Sequence, residues 1–97
     1  MHVLVCTLRL RLPENGSLKG KRRIISSLTN RIRNKFNVSV SEVGNTESWQ
    51  TAILGISLVS NEVAYIEEMG DTVLRFVEGS RGDFEVFEVT KETFSGL

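Results

Sequence analysis

One cysteine, Cys6, and one histidine, His2, are all that the 97-residue chain carries of either type. The first excludes an internal disulfide framework, and the second excludes a His-rich zinc site. No targeting or membrane segment is expected. The N-terminus reads Met-His-Val-Leu-Val-Cys-Thr-Leu-Arg, with no basic leader, and charges interrupt it after a few apolar residues. The cytoplasm is therefore the expected compartment. In that compartment Asn15-Gly16-Ser17 and Asn37-Val38-Ser39 are not glycosylation sites, and Arg81-Gly82-Asp83 is not an adhesion motif.

Net charge is the next absence: 12 Lys and Arg balance 12 Asp and Glu. A zero total would exclude a strongly electrostatic partner if the charges were evenly spread. They are not. Residues 1–40 hold nine basic side chains against the single acid Glu14, a net of +8, and residues 41–97 hold three against eleven acids, a net of −8. Such a split between halves is a sequence-level sign of a charged partner.

What is present is enough for one core. Leu, Ile, Val and Phe make up 32 of the 97 residues, well above the level of a disordered chain. At this size about two-thirds of the unfolded surface is buried on folding. The chain therefore reads as a single domain over residues 1–97, with a loose tail at 92–97.

Residues 2–12 alternate, with Leu4, Cys6, Leu8, Leu10 and Leu12 on one face and Val3, Val5, Thr7, Arg9 and Arg11 on the other, which predicts a strand. Pro13-Glu14-Asn15-Gly16 ends it. Ser17 offers an N-cap to a helix over about 18–36, whose apolar residues Leu18, Ile25, Leu28, Ile32 and Phe36 recur at helical spacing. A short strand follows at 38–43, loop chemistry at 44–48, and a third strand from Trp49 to Val59. Ser60 is positioned to cap a second helix over about 61–78. A last strand runs from Asp83 to Lys91, where Phe84 and Phe87 are out of phase for one face and point to a bulge. The order β-α-β-β-α-β with right-handed crossovers gives a ferredoxin-like α+β sandwich. It is a four-stranded antiparallel sheet with both helices on one face and the other face uncovered.

Several segments carry a resemblance: Ser17-Leu18-Lys19-x-Lys21-Arg22-Arg23, the run from Arg31 to Gly44, Trp49-Gln50-x-Ala52-x-Leu54-Gly55, and Val59-Ser60-Asn61. Over residues 2–91 the chain resembles the YlxP-like family of small bacterial proteins of unknown function. The resemblance implies the same fold, no established catalytic residues, and genes that often lie near those for translation initiation and ribosome-binding factors. One departure is Gly20, where the family pattern implies an acid; glycine costs a helix about 1 kcal/mol relative to alanine.

Lys19, Lys21, Arg22 and Arg23 crowd the first turns of helix one, the positive end of its dipole, where acids would favour stability. Arg9 and Arg11, at the end of strand one, are expected to approach the same edge, and Arg31 and Arg33 lie further along the helix. Together they form a candidate phosphate- or RNA-binding surface. The competing account pairs these cations with Glu62, Glu67, Glu68, Asp71 and Glu78 of helix two and leaves the rest solvated. One neighbouring helix reaches only one flank, since Arg22 and Arg33 border one side of the apolar arc while Arg31 and Lys35 border the other. Ribosomal RNA or the small ribosomal subunit is the partner that the resemblance suggests.

Base stacking of the RNA-recognition-motif kind is disfavoured, because the central strands lack aromatic residues. The uncovered sheet face offers Val3, Val5, Trp49, Thr51 and Ile53, a surface for homodimerisation or another protein contact, or a modest exposed patch without function. Catalysis has little support. Cys6 alternates onto the core face, and Gly16-x-x-x-Gly20-Lys21 is one residue short of a P-loop and lacks the Ser or Thr after the lysine. No catalytic residue, metal or cofactor is expected. The readings are a non-enzymatic RNA- or ribosome-associated protein, a protein-interaction module and, last, a small enzyme acting on a phosphate ligand.

Overall fold

The computed structural model describes all 97 residues, in the order β1 His2–Arg11, α1 Leu18–Lys35, β2 Ser39–Gly44, β3 Thr51–Ser60, α2 Val63–Gly79 and β4 Glu85–Phe94. The strands form one antiparallel sheet ordered β2-β3-β1-β4. This is the ferredoxin-like arrangement that the element order predicts. Both crossovers skip one strand, so both helices cover the same face.

Alternation in β1 determines which face that is. Leu4, Cys6, Leu8 and Leu10 are all buried, and with Ala52, Leu54, Ile56 and Leu58 of β3 they floor a core closed by Ile25, Leu28 and Ile32 of α1 and Ile66, Val73 and Val77 of α2. Ser17 caps α1 as its sequence position predicts, its hydroxyl accepting the Gly20 N–H at 2.9 Å. Gly20 also has a local reason: a Cβ there would lie 2.2 Å from Asn15 Oδ1. The Asn15 amide is held in place by donating to the carbonyls of Ser17 and Trp49 at 2.7 and 2.6 Å.

Two boundaries differ from the sequence expectation, and the bulge expected in the last strand is present. The residue capping α2 is Glu62, with no side-chain cap bond, whereas the Ser60 hydroxyl accepts the Glu62 N–H at 3.1 Å. Ser60 is still the last residue of β3, paired with His2, and cannot also enter the helix. The bulge falls at Phe87: Arg9 faces Glu88 and Leu10 faces Val86, which leaves Phe87 without a partner. The tail is tied down rather than loose. β4 continues to Phe94 opposite Val3, His2 Nδ1 lies 2.7 Å from Ser95 Oγ, and Leu97 exchanges hydrogen bonds with Met1. No helix is long and apolar enough to cross a membrane.

The two helices meet through apolar and aromatic contact. Phe36 and Phe76 stack edge to face with centroids 5.4 Å apart, and the Lys35 ammonium sits 4.9 Å from the Phe76 ring. No ion pair joins α1 to α2: the three ion pairs are Arg9 with Glu88, Lys21 with Glu42, and Lys91 with Asp71. The acids of α2 therefore do not neutralise the bases of α1. Asp71 bonds across to β4, and its hydrogen bond from Lys91 holds its carboxyl below the usual carboxylate range.

Candidate nucleic-acid interface

The basic residues that the sequence groups together are divided by the fold into four environments. Arg9 and Arg11 leave β1 on the face opposite the helices, so they cannot share an edge with the start of α1. Arg9 pairs with Glu88 at 3.4 Å and Arg11 lies over the Phe87 ring at 4.6 Å, both on the neighbouring strand β4. The alternation of β1 dictates this placement, because Leu8, Leu10 and Leu12 take the helix side.

Lys21 is a second correction. It is 1 % exposed, and its ammonium donates to the carbonyls of Asn45 at 2.6 Å and Ser48 at 2.8 Å, with Glu42 Oε2 also 2.8 Å away. That carboxylate oxygen is buried and makes no hydrogen bond of good angle, so the ammonium holds it as an ion pair only. Lys21 is thus a pin between α1 and the β2–β3 loop, closed to any phosphate.

Arg33 is partly engaged, donating to the Val40 carbonyl of β2 at 2.7 Å and to Asn30 Oδ1 at 3.3 Å. Lys19, Arg22 and Arg23 remain. They are exposed, none has a carboxylate within 4.0 Å, and the first turn of α1 contains no acid. Their charges add to the positive end of the helix instead of opposing it. Arg33 reaches β2, Arg23 and Arg31 line a cleft with the loop after α2, and Lys19 and Arg22 stay outside it.

That loop brings in residues the sequence reading had not placed in a site. Arg81, Gly82, Asp83 and Phe84 face Arg23, Ser27 and Arg31 across a cleft of about 420 Å³. The juxtaposition follows from topology, since antiparallel pairing sets the start of β4 beside the end of β1, and thus the 80–84 loop beside the entry to α1. A strand-order argument could have found Arg81. Its position in a Gly-rich helix stop concealed it.

Residues 3–91 match the family described as "Protein of unknown function (DUF503)". The chain belongs to the DUF503 family. Within it, a 63-residue stretch is 41% identical to the uncharacterized protein YlxP of Bacillus subtilis (strain 168), covering 65% of this chain and 68% of that one. The family resemblance read from the residues is therefore correct. The fold is also similar to a de novo designed protein, Foldit4, with a TM-score of 0.54 and 17% identity over the whole of both chains, a likeness of fold alone.

In this DUF503 chain the open sheet face carries Val3, Val5, Thr51 and Ile53 as the alternation predicts. Val59 and Phe94 flank Val3 in register, and Val43 lies against Gly55. Trp49 is exposed at the loop before β3. Arg9, Arg11, Glu88 and Glu92 occupy the same face, so its apolar part is the end around Val3, Val5 and Val59.

Cys6 is 1 % exposed in the core, and burial pushes its thiol up from the ordinary value. A disulfide reagent such as dithionitrobenzoate is expected to label it only through unfolding, at a rate at least about 100-fold below that of the denatured chain. Rapid native labelling would contradict the packing of β1 against α2.

Proposed function

We propose that this chain is a non-enzymatic RNA-binding protein of the cytoplasm. On this reading it sets the exposed ridge of Lys19, Arg22 and Arg23, with Arg33 beside it, on phosphates of structured RNA. The observation that supports it is a helix start carrying three exposed cations without a carboxylate partner, although an acidic helix lies next to it in the fold. Fold stability gains nothing from that arrangement. A polyanion would relieve it through charge-assisted contacts. Contact is to the backbone, since the middle of the sheet offers no aromatic platform. Ribosomal RNA of the small subunit is the first RNA to test, given the gene surroundings that the family resemblance implies.

A filter-binding series with small subunits and their RNA across salt tests the reading. Lys19→Glu/Arg22→Glu is expected to weaken binding by roughly tenfold or more and to flatten the slope of log affinity against log salt by about two. Arg75→Glu, an exposed change on α2, is expected to leave both unchanged. Equal binding by the double variant and the unaltered chain would sink the proposal.

A second reading uses the open sheet as a homodimer or protein interface. It is supported by the exposed cluster of Val5, Val59 and Phe94 around Val3. Sedimentation decides it: a monomer at all concentrations, unaltered by Val59→Asp, removes the homodimer.

A further inference from the structure

The cleft between α1 and the 80–84 loop has a composition that the outward ridge of α1 lacks. Three arginines, Arg23, Arg31 and Arg81, line about 420 Å³ of space together with Ile24, Ser27, Gly82, Asp83 and Phe84. Asp83 neutralises none of them, because no arginine nitrogen lies within 4.0 Å of its oxygens. Arg31 is steadied by its Nε donating to the Ser27 carbonyl at 3.4 Å. Neither Arg23 nor Arg81 makes a side-chain hydrogen bond within the protein. Three arginines lining one space, two of them without a protein acceptor, suit an anion with several acceptor oxygens, such as a phosphate.

The remaining groups describe what the phosphate is attached to. Phe84 packs on the core by one side, and Gly82 lies against its ring edge. A Cβ at position 82 would come within 2.8 Å of Phe84 Cε1 and 3.9 Å of Arg31 Nη2. A ring and a guanidinium thus converge on bare backbone, leaving an apolar planar wall beside the cationic one. Asp83, a free acceptor at the rim, suits the hydroxyls of a sugar. The volume falls in the range of small-ligand sites.

We propose that this cleft binds a nucleoside 5′-monophosphate group. Its phosphate lies among Arg23, Arg31 and Arg81, its base lies against Phe84, and its ribose lies toward Asp83. The group can be a free nucleotide or the 5′ end of an RNA strand. The inference shares Arg23 with the RNA reading above, but Lys19 and Arg22 lie outside the cleft, so different variants test the two.

Titration of the full chain with AMP, GMP, CMP and UMP, followed by calorimetry or by amide NMR shifts at residues 23–31 and 81–84, is expected to show sub-millimolar binding of at least one. Adenosine or guanosine without phosphate, and inorganic phosphate without nucleoside, are each expected to bind about tenfold more weakly or worse. Arg81→Glu is expected to abolish binding and Arg81→Lys to retain part of it, while Asp83→Asn weakens the nucleotide and not inorganic phosphate. Comparing one RNA with a 5′-phosphate and with a 5′-hydroxyl separates the sources. A phosphate-dependent gain that Arg81→Glu removes assigns the strand end, and its absence alongside nucleotide binding assigns the free nucleotide. Inorganic phosphate binding as tightly as every nucleotide would overturn the proposal, as would no binding of any nucleotide at 10-fold excess over about 1 mM together with indifference of the 5′-phosphorylated RNA to Arg81→Glu. Loss of RNA binding in Lys19→Glu/Arg22→Glu with nucleotide binding intact keeps the two questions apart.

Discussion

Lys21→Met is expected to lower the folding free energy by about 3–5 kcal/mol, measured as a fall in the urea midpoint with an unchanged slope. Methionine keeps the unbranched stem and most of its packing, so the loss is electrostatic. It strands the Glu42 carboxylate, whose side chain is 22% exposed and whose Oε2 has no other donor, and it removes the donor to the carbonyls of Asn45 and Ser48. An unpaired buried charge costs more than the pair was worth. Lys21→Met/Glu42→Leu is accordingly expected to recover most of the loss, because an apolar replacement of both partners is often neutral. A cost below about 1 kcal/mol for the single change would mean that Glu42 swings out to water and that the pin is not structural.

The angle of Lys21 was legible before its partners were. Leu18, Lys21, Ile25, Leu28 and Ile32 are spaced three and four apart, so the lysine occupies a core position of α1. Grouping it with Lys19, Arg22 and Arg23 by charge overlooked that angle. Arg9 and Arg11 show the same thing for strands, since period-two alternation already sends them away from the helices. By contrast, the acceptors that make a buried lysine tolerable come from a loop 24 to 27 residues away, and no local pattern announces them. The end of β4 was illegible for another reason. Residues 92–94 are exposed on an edge strand, and Glu92 and Thr93 carry no hydrophobic alternation on to Phe94.

The charge split has a corresponding physical reading. Part of the positive half is structural: Lys21 inside, Arg9 and Arg11 across the sheet, Arg33 on the β2 carbonyl, Lys35 against the Phe76 ring. The remainder gathers at the start of α1 and around the cleft. The negative half is not its counterion, because Glu62, Glu67, Glu68 and Glu78 face solvent on α2 without a basic partner. A small domain with separated poles is oriented by the field of a polyanion before it makes contact, at a rate that falls with salt.

The second large effect concerns how closely α2 sits on the sheet. Gly70→Ala is expected to destabilise the chain by about 1–3 kcal/mol even though alanine favours a helix interior by about 1 kcal/mol. A Cβ at position 70 would lie 2.2 Å from Leu4 Cδ2, and Leu4 is 1% exposed in the middle of the core, with nowhere to retreat. The helix must lift or Leu4 must leave its rotamer. Gly79→Ala, at the end of the same helix with nothing within 4 Å, is expected to be neutral or stabilising by a few tenths of a kcal/mol. The opposite signs separate packing from propensity within one helix. Gly70→Ala/Leu4→Ala should cost less than the sum of its parts, since each change makes room for the other. The effect reaches the cleft as well, because α2 carries the 80–84 loop at its C-terminal end. A lifted α2 moves Arg81 and Phe84 away from Arg23 and Arg31, so nucleotide affinity in Gly70→Ala is expected to fall even under conditions where the chain stays folded. Full stability and unchanged affinity in that variant would show that α2 seats more loosely on β1 than its contact with Leu4 requires.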